Sequence, residues 1–290
     1  MRCIHPTFLL ESHEIFHSQV HFDDKHPRGF SVVGWLGQKT IDGYLYLADL
    51  SAHVYVTLRE LVTPGHQGRW ASLRVTLRQM LFTGVDALPV VSAIALMLGL
   101  IVIIQAGTQL PKVGGEGFIG SIIVVVIIRE LGPLTTAVLV IGRSGAAITT
   151  ELGNMRVAQE ITALELMGIR ISRYIVMPRV VALVFSMLCL IFYFDAIAVL
   201  GGFVIARIKL TVPFYTFANA VAQSLSLVDV LGTVAKGVLF GTTVAVVCCH
   251  HGLSVRSSYT EVPQQVTRAM INSLTLCLLL DILITMVAYF

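Results

Sequence analysis

Charged residues are scarce in this 290-residue sequence: they make up 13% of the chain, hydrophobic residues make up 56%, and the mean hydropathy is +0.82. Soluble domains contain about a quarter charged residues. A chain so poor in charge cannot hydrate the surface of a soluble fold, so we expect a single membrane bundle with polar segments outside it. The net charge of +3 is too small to indicate nucleic-acid binding.

A nucleotide-binding motif is missing, because no stretch of the sequence fits the P-loop pattern G-x-x-x-x-G-K-[ST]. ATP hydrolysis linked to this chain therefore requires another chain. The G-x-S-x-G turn of serine hydrolases is missing as well. We expect no catalysis by this chain alone, and neither a cofactor nor a metal bound to it.

The cysteines show no spacing typical of disulfides, and four of the five lie within or at the end of apolar runs, as small buried hydrophobic residues do. Four adjacent residues at 248–251, two cysteines and two histidines, cannot all face one zinc ion from a helix. His13, His17 and His21 share one helical face, which makes a metal site the alternative there. A polar terminal extension over residues 1–33 is the favoured interpretation.

Long apolar runs dominate the rest of the chain. A helix rises ~1.5 Å per residue, so a run of about 20 apolar residues crosses the hydrocarbon core. The second run contains Gly132-Pro133, which should kink or break its helix. The pattern predicts an all-α integral membrane protein with five spans. They lie near residues 88–110, 118–141, 174–206, 228–249 and 269–290.

Basic residues are unevenly distributed among the connections between these runs. They are concentrated before the first run, between the second and third, and between the fourth and fifth. Arginine and lysine favour the cytosolic side of a membrane. We therefore expect a cytosolic N-terminus, and five spans then place the C-terminus on the periplasmic side.

Residues 34–84 precede the membrane domain, which is expected over residues 85–290. Apolar residues recur here at three- and four-residue steps, for example at Leu47, Leu50 and Val54. This pattern predicts amphipathic helices that lie along the membrane surface. The alternative is that they pack on a small soluble domain.

Small residues recur every four positions at Gly145, Thr149 and Gly153, a spacing that lets membrane helices approach one another closely. From Glu151 onward the chain becomes amphipathic, within a connection already assigned to the cytosol. A short surface helix in this position would suit the docking of a cytosolic partner.

The stretch over residues 129–169 carries the most informative motifs. It begins with Arg-Glu-Leu-Gly-Pro, has Gly-Arg-Ser-Gly-Ala-Ala at its centre and ends near Glu-Ile-x-Ala-Leu-Glu-x-Met-Gly. Together these motifs closely resemble the signature of the MlaE family of lipid ABC transporter permeases. Shorter matches at residues 84–89, 251–253 and 267–269 extend the resemblance from about Leu73 to the C-terminus. The chain departs from it at residues 256–263, where family members have a glycine-rich turn.

The resemblance implies a permease subunit that moves phospholipid or a related lipid between inner and outer membranes. It implies several partners: a second copy of the chain, a cytosolic ABC ATPase that binds ATP and magnesium, a periplasmic MCE-domain protein, a small STAS-type cytosolic subunit and membrane lipid. It also implies the bacterial inner membrane as location. The family's coupling helix corresponds to residues 151–168. The ATPase-coupling residues expected there are Glu151, Arg156, Glu160, Glu165, Met167 and Gly168.

Arg129 and Glu130 are ionisable residues within a span, where such groups are costly and commonly functional. With Pro133 and Arg143 they make up the expected lipid-binding or translocation site, in which the Arg129 guanidinium pairs with a phosphate. Glu130 would contact a headgroup amine or orient Arg129. The alternative is an Arg129–Glu130 ion pair that only fixes helix packing.

Four further ionisable residues lie in or near the last three spans: Asp195, Asp229, Lys236 and Asp281. We expect Lys236 to form a structural pair with Asp281 or Asp195. The carboxylates also support a second class of function, a proton-coupled secondary transporter that uses them as relay groups. The missing internal repeat and the amphipathic cytosolic helix argue against that class.

Overall fold

A computed structural model describes residues 69–109, 119–209, 214–256 and 258–289, which all belong to the larger of two compact units, Asp49–Phe290. Every regular element in these ranges is helical, which confirms the all-α prediction. Residues 1–33 and most of the predicted interfacial segment, up to residue 68, lie outside the described residues. The simple helices are α1 Arg69–Thr83, α2 Leu88–Gln109, α4 Glu160–Leu166, α6 Phe214–Ser224, α7 Leu227–Leu253 and α8 Val262–Tyr289.

Two helices, α3 and α5, are compound. The helix α3 runs from residue 119 to 157 through Ile119–Ile122, a π-helical segment Ile123–Leu131, Gly132–Val140, a second π-helical segment Ile141–Gly145 and Ala146–Val157. The helix α5 begins with a π-helical turn, Ser172–Val176, and continues as Met177–Lys209. A π-helical turn widens the backbone locally and is found mostly as a bulge within an α-helix.

Five helices of the described chain are long and apolar enough to cross a membrane, which confirms the predicted number. Several run well past the apolar stretches on which the prediction was based, because backbone hydrogen bonding does not stop where the hydrophobic residues do. The five membrane-length segments are Thr76–Gln109, Ile123–Val157, Ser172–Ile208, Leu227–Leu253 and Val262–Ala288.

The helix α1 lies within the segment expected to hold amphipathic interfacial helices. A 3-10 turn, Val85–Ala87, joins it to α2, and α1 lies against α5. Its apolar residues Leu77 and Leu81 are exposed rather than buried in a core. Exposed leucines next to the first span are suited to contact with lipid.

The second span is not broken at Gly132-Pro133, but a π-helical segment directly precedes the proline, the kind of irregularity found at helix kinks. The N–H of Gly132 bonds to the carbonyl of Ile127, five residues back, so the backbone is widened where the proline ring must fit. Pro133 has no N–H to offer the carbonyl of Arg129, which an α-helix would pair with it. Lys236 Nζ donates to this carbonyl instead, at 2.7 Å. Lys236 thus satisfies a carbonyl that the proline leaves without its α-helical donor.

Residues 151–168 do not form one coupling helix, which corrects that prediction. Their first part is the end of α3, and α4 is a separate short helix. Gln159 lies between the two with φ 62°, a left-handed conformation that ends α3. Gly168 follows α4 with φ 74°, which glycine adopts without strain.

The core is centred on α5, which lies against α2, α3 and α7. Its largest fully buried side chains include Met187, Leu190 and Phe194. Close helix approach depends on small residues: a Cβ on Gly99 would lie 2.1 Å from the carbonyl oxygen of Ala198 on α5. The helix α8 is covered less, and its outer face leaves large apolar side chains exposed, including Ile282, Leu283, Met286 and Val287.

The predicted small-residue stripe on α3 does face a neighbouring helix. A Cβ on Gly145 would lie 3.0 Å from Cys248 Sγ of α7. Thr149 Oγ1 donates to the Cys248 carbonyl at 3.2 Å, and a Cβ on Gly153 would meet Val262 at 3.1 Å. The stripe therefore seats α3 against α7 and the start of α8.

Candidate functional site

Five charged side chains from three helices form a group within the membrane-length helices, which we call the charge cluster. It contains two cations and three carboxylates, so it is net negative when all five groups are ionised. Its members are Arg129 and Glu130 of α3, Asp229 and Lys236 of α7, and Asp281 of α8.

Lys236 is the centre of the cluster. Its Nζ lies 2.7 Å from Asp281 Oδ1, 3.3 Å from Glu130 Oε2 and 2.7 Å from the Arg129 carbonyl oxygen. An ammonium group has three N–H donors, so these three acceptors match its full capacity. The predicted Lys236–Asp281 pair is confirmed. Through all three contacts, Lys236 joins α7 to both α3 and α8.

Arg129 pairs with the first turn of α7. Its Nε lies 2.7 Å from Asp229 Oδ1. The other carboxylate oxygen of Asp229 accepts from the backbone N–H and the hydroxyl of Ser226, at 2.8 and 3.1 Å, in a capping box. Asp229 therefore fixes the start of α7 and the position of the guanidinium at once.

Glu130 is tied to α7 and α8. Besides its contact with Lys236, its Oε1 accepts a hydrogen bond from Thr285 Oγ1 at 3.0 Å. The sequence suggested a headgroup contact or an Arg129–Glu130 pair, but the structure joins each of the two residues to other helices. Sequence reasoning did not identify these connections.

Arg129 and Glu130 are the accessible part of the cluster. Their side chains are 23% and 35% exposed, whereas those of Asp229, Lys236 and Asp281 are almost fully buried. The buried members hold the two accessible ones in place. A guanidinium and a carboxylate on adjacent residues offer one group for the phosphate and one for the amine of a zwitterionic headgroup.

The other two residues of the predicted lipid site lie elsewhere. Pro133 is buried in the chain and contributes through the Arg129 carbonyl that it leaves for Lys236. Arg143 lies about 20 Å farther along α3, given a rise of ~1.5 Å per residue. There it is 3.6 Å from Asp86 Oδ2 and stacks over the Phe82 ring at 5.2 Å. The structure therefore separates Arg143 from the cluster.

Asp195 of α5 is not the partner of Lys236, which corrects that alternative. It lies against α3, where a Cβ on Gly132 would come within 2.1 Å of Asp195 Oδ1. Within the described part of the chain this buried oxygen has no hydrogen-bond partner. The hydroxyl of Thr136, one turn along α3 from Gly132, is buried and unpartnered in the same sense.

Most of the predicted ATPase-coupling residues are exposed, and one of them forms an ion pair within the chain. Glu160, Glu165 and Met167 are exposed, Met167 by 66%, and the neighbouring Leu166 by 84%. Gly168 is exposed in the turn after α4, and Arg156 is half-buried near the end of α3. Glu151 is engaged within the chain, because its Oε1 lies 2.9 Å from Arg179 Nη2.

Two further features were missed by sequence reasoning. One is the short helix α6, whose Phe217 ring lies 5.5 Å from that of Phe203 on α5. The other is the pairing of His251 with α8, at 3.0 Å from Gln265 Oε1 and 3.1 Å from Asn272 Nδ2. The only signal for the histidine contacts was the match at residues 251–253.

No group of histidine, cysteine and carboxylate side chains able to hold a metal ion occurs among the residues that the structure describes. The histidines at positions 13, 17 and 21 lie outside them. That stretch also reads His13-Glu14-Ile15-Phe16-His17, the H-E-x-x-H spacing of zinc proteases, which sequence reasoning missed.

Comparison with known proteins bears on the whole of the membrane domain. The family described as Permease MlaE matches residues 76–287. A probable ABC transporter permease protein of Rickettsia typhi is 32% identical over 73% of this chain and 82% of its own length. The intermembrane phospholipid transport system permease protein MlaE of Haemophilus influenzae is 28% identical over the same shares. The chloroplastic protein TRIGALACTOSYLDIACYLGLYCEROL 1 of Arabidopsis thaliana is 25% identical over 69% of this chain and 57% of its own length.

Proposed function

Because the chain belongs to the MlaE family of permeases, we propose that it moves phospholipid between the inner and outer membranes of a bacterium as the membrane subunit of an ABC transporter. The observation that carries this proposal is the family match, which extends into all five membrane-length helices. The relative from Haemophilus influenzae, named for intermembrane phospholipid transport, supports the choice of phospholipid.

The charge cluster is the proposed contact for the lipid headgroup. Arg129 and Glu130 are its exposed members, so a phosphate would meet the guanidinium and an amine the carboxylate. Asp229 holds the guanidinium in position, and Lys236, itself paired with Asp281, holds the carboxylate. On the expected topology the cluster lies in the outer half of the membrane.

The remaining partners are proposed from the family and from the surfaces of the described chain. A cytosolic ATPase that binds ATP and magnesium would dock on α4, where Glu160, Glu165 and Met167 are exposed. The exposed apolar face of α8 suits lipid or a second copy of the chain. A periplasmic MCE-domain protein would exchange lipid on the outer side, and a STAS-type subunit would bind in the cytosol. The protein would reside in the bacterial inner membrane with its N-terminus cytosolic and its C-terminus periplasmic.

The helix α3 connects the charge cluster to the proposed ATPase-docking helix α4. This helix carries Arg129 and Glu130 near one end and is followed by α4 at the other. Displacement of α4 by an ATPase that closes on ATP would therefore act on the helix that holds the headgroup contact. Because α3 is continuous through Gly132-Pro133, the displacement need not be lost at a break.

A proton-coupled secondary transporter is supported less well by the side-chain geometry. Such a transporter needs carboxylates that are free to accept and release protons. Glu130, Asp229 and Asp281 each lie in an ion pair. Asp195 is the exception, since it has no partner within the described chain.

The decisive experiment is copurification. The full chain, expressed with its neighbouring transport components, should bring down an ABC ATPase and an MCE-domain protein, and the complex should show lipid-stimulated ATPase activity. Transport by this chain alone, driven by a proton gradient and independent of ATP, would overturn the proposal.

The headgroup contact has its own test. In the double variant Arg129→Gln with Glu130→Gln, the amount of phospholipid that copurifies with the complex should fall by about fivefold or more, because charge-assisted hydrogen bonds to the headgroup are lost. Arg207→Gln is the matched control, since Arg207 is an exposed arginine on α5. Normal lipid content in the double variant would assign Arg129 and Glu130 to helix packing only.

A further inference from the structure

The Glu151–Arg179 ion pair connects the two helices on either side of α4. Glu151 is in the last turns of α3 and Arg179 is near the start of α5. Arg179 Nη2 lies 2.9 Å from Glu151 Oε1, and Nη1 donates to the Ile175 carbonyl at 3.1 Å. The pair therefore closes the base of the loop that carries α4.

The burial of the two partners is unequal. The Arg179 side chain is 6% exposed and that of Glu151 is 56% exposed. A buried guanidinium needs an opposite charge, so Arg179 holds Glu151 more firmly than a surface ion pair would. Glu151 is then held beside Arg179, while more than half of its side chain stays exposed.

The loop itself is suited to bend. Gln159 and Gly168, at either end of α4, have left-handed backbone conformations, and α4 comprises only seven residues. Ile161 of α4 is fully buried, which attaches the helix to the bundle. Without a connection between α3 and α5, a push on α4 could be taken up by its two turns.

We propose that Glu151 and Arg179 are positioning residues that hold the cytosolic ends of α3 and α5 together, so that displacement of α4 moves both spans as one unit. On its other side, the same end of α3 is fixed to α7 by the hydrogen bond from Thr149 to the Cys248 carbonyl. Three spans thus share one cytosolic base. The inference rests on the proposed function, because it assumes that an ATPase acts on α4.

The test uses the complete complex in vesicles of phosphatidylethanolamine and phosphatidylglycerol, with fluorescent phosphatidylethanolamine as the transported probe. Lipid moved per ATP hydrolysed is measured for Glu151→Gln, Arg179→Gln and the double variant. Each single change should lower this ratio by about tenfold, within the range usual for energetic coupling between two sites. The double variant should resemble the single ones, because both remove the same interaction.

The amount of bound ATPase and the basal ATPase rate should stay within about twofold of wild type in all three variants. A pair that joins α3 to α5 within the chain is not expected to affect either quantity. Arg207→Gln, near the opposite end of α5, is the control and should leave the ratio unchanged. Glu151→Gln changes the more exposed partner of the pair, so it should disturb folding less than Arg179→Gln does. It therefore keeps the test valid if Arg179→Gln does not fold.

Four results would overturn the inference. If Glu151→Gln releases the ATPase and Arg179→Gln does not, Glu151 is a direct contact. If the variants lose thermal stability but keep the normal ratio, the pair is structural only. If the wild-type chain binds no ATPase, the proposed function fails and this inference fails with it. If the wild-type complex transports lipid with ATP hydrolysis and the variants move as much lipid per ATP as wild type, this inference alone is overturned.

Discussion

The two halves of α3 are built on different principles. Its first half enters the charge cluster, where Lys236 is almost fully buried and contacts three acceptors. Its second half is seated by small residues and leads through Gln159 into α4, whose Glu165 and Leu166 are exposed. Substitutions in the charge cluster should therefore act mainly on stability, and substitutions on the exposed face of α4 mainly on partner binding. The contrast teaches that one continuous helix can join a fixed site to a movable one.

Removal of the Lys236 charge should have the largest effect on stability. Lys236→Met leaves Asp281, Glu130 and the Arg129 carbonyl without their common donor. Loss of one partner of a buried ion pair costs about 3–5 kcal/mol. Thermal unfolding of the purified complex should show a large decrease in midpoint.

A second variant sharpens this prediction. Replacing both partners, with Lys236→Met and Asp281→Leu, removes the uncompensated carboxylate and should recover part of the loss. A double variant that is less stable than Lys236→Met alone would show that Asp281 is held by groups other than the lysine.

Gly132→Ala should destabilise the protein by about 1–3 kcal/mol, the usual cost of overpacking. The new Cβ would come within 2.1 Å of Asp195 Oδ1 and within 3.2 Å of the Ile127 carbonyl oxygen. Combination with Asp195→Ala should relieve the clash with the side chain. The free energy of unfolding, measured by denaturant titration, is compared between Gly132→Ala and its combination with Asp195→Ala.

Gly142→Ala is the matched control on the same helix. A Cβ there meets no atom within 4 Å, so alanine should be neutral or slightly stabilising. Equal destabilisation by both substitutions would show that helix geometry, and not the contact with Asp195, sets the cost at Gly132.

The sequence was sufficient for the spans and for part of the cluster, and the reason is energetic. Charges in apolar runs must find partners, so the sequence alone predicts that Lys236 pairs with a carboxylate of another span, and Asp281 is that partner. The partners of Arg129 and Glu130 could not be chosen, because they depend on how helices distant in sequence are rotated against each other. The S-x-x-D pattern at residues 226–229 was a readable capping signal, but it gave no indication that Asp229 also holds Arg129.

The coupling segment was predicted less well. Its exposed charges were correctly placed after the second span, but the break at Gln159 has no clear sequence signal, since glutamine seldom adopts a left-handed conformation. The sequence did indicate that Gly132-Pro133 would disturb the helix, but not that Lys236 of another helix would bond the Arg129 carbonyl there. Both features depend on tertiary contacts.

Loss of the α7 cap should have a smaller effect than Lys236→Met or Gly132→Ala. Ser226→Ala removes the hydroxyl that accepts from the Asp229 N–H at 3.3 Å and should cost about 1 kcal/mol. Ser226→Thr retains a hydroxyl and should restore most of the stability. A cost like that of Lys236→Met would mean that the cap holds the whole cluster together, because Asp229 could then no longer position Arg129.

Charge reversal on α4 should have the smallest effect on stability and the clearest effect on assembly. Glu160 and Glu165 are exposed, so Glu160→Arg with Glu165→Arg should change the free energy of unfolding by about 0.5 kcal/mol or less. The same variant should lose the ATPase on copurification, since like charges repel and the docking surface is reversed. Reversal of Glu261, an acidic residue in the connection between α7 and α8, is the comparison that tests whether the effect is specific to α4. If the α4 variant keeps its ATPase and its lipid-stimulated turnover, the partner does not dock on α4, and the functional contrast between the two halves of α3 is lost even though the difference in stability remains.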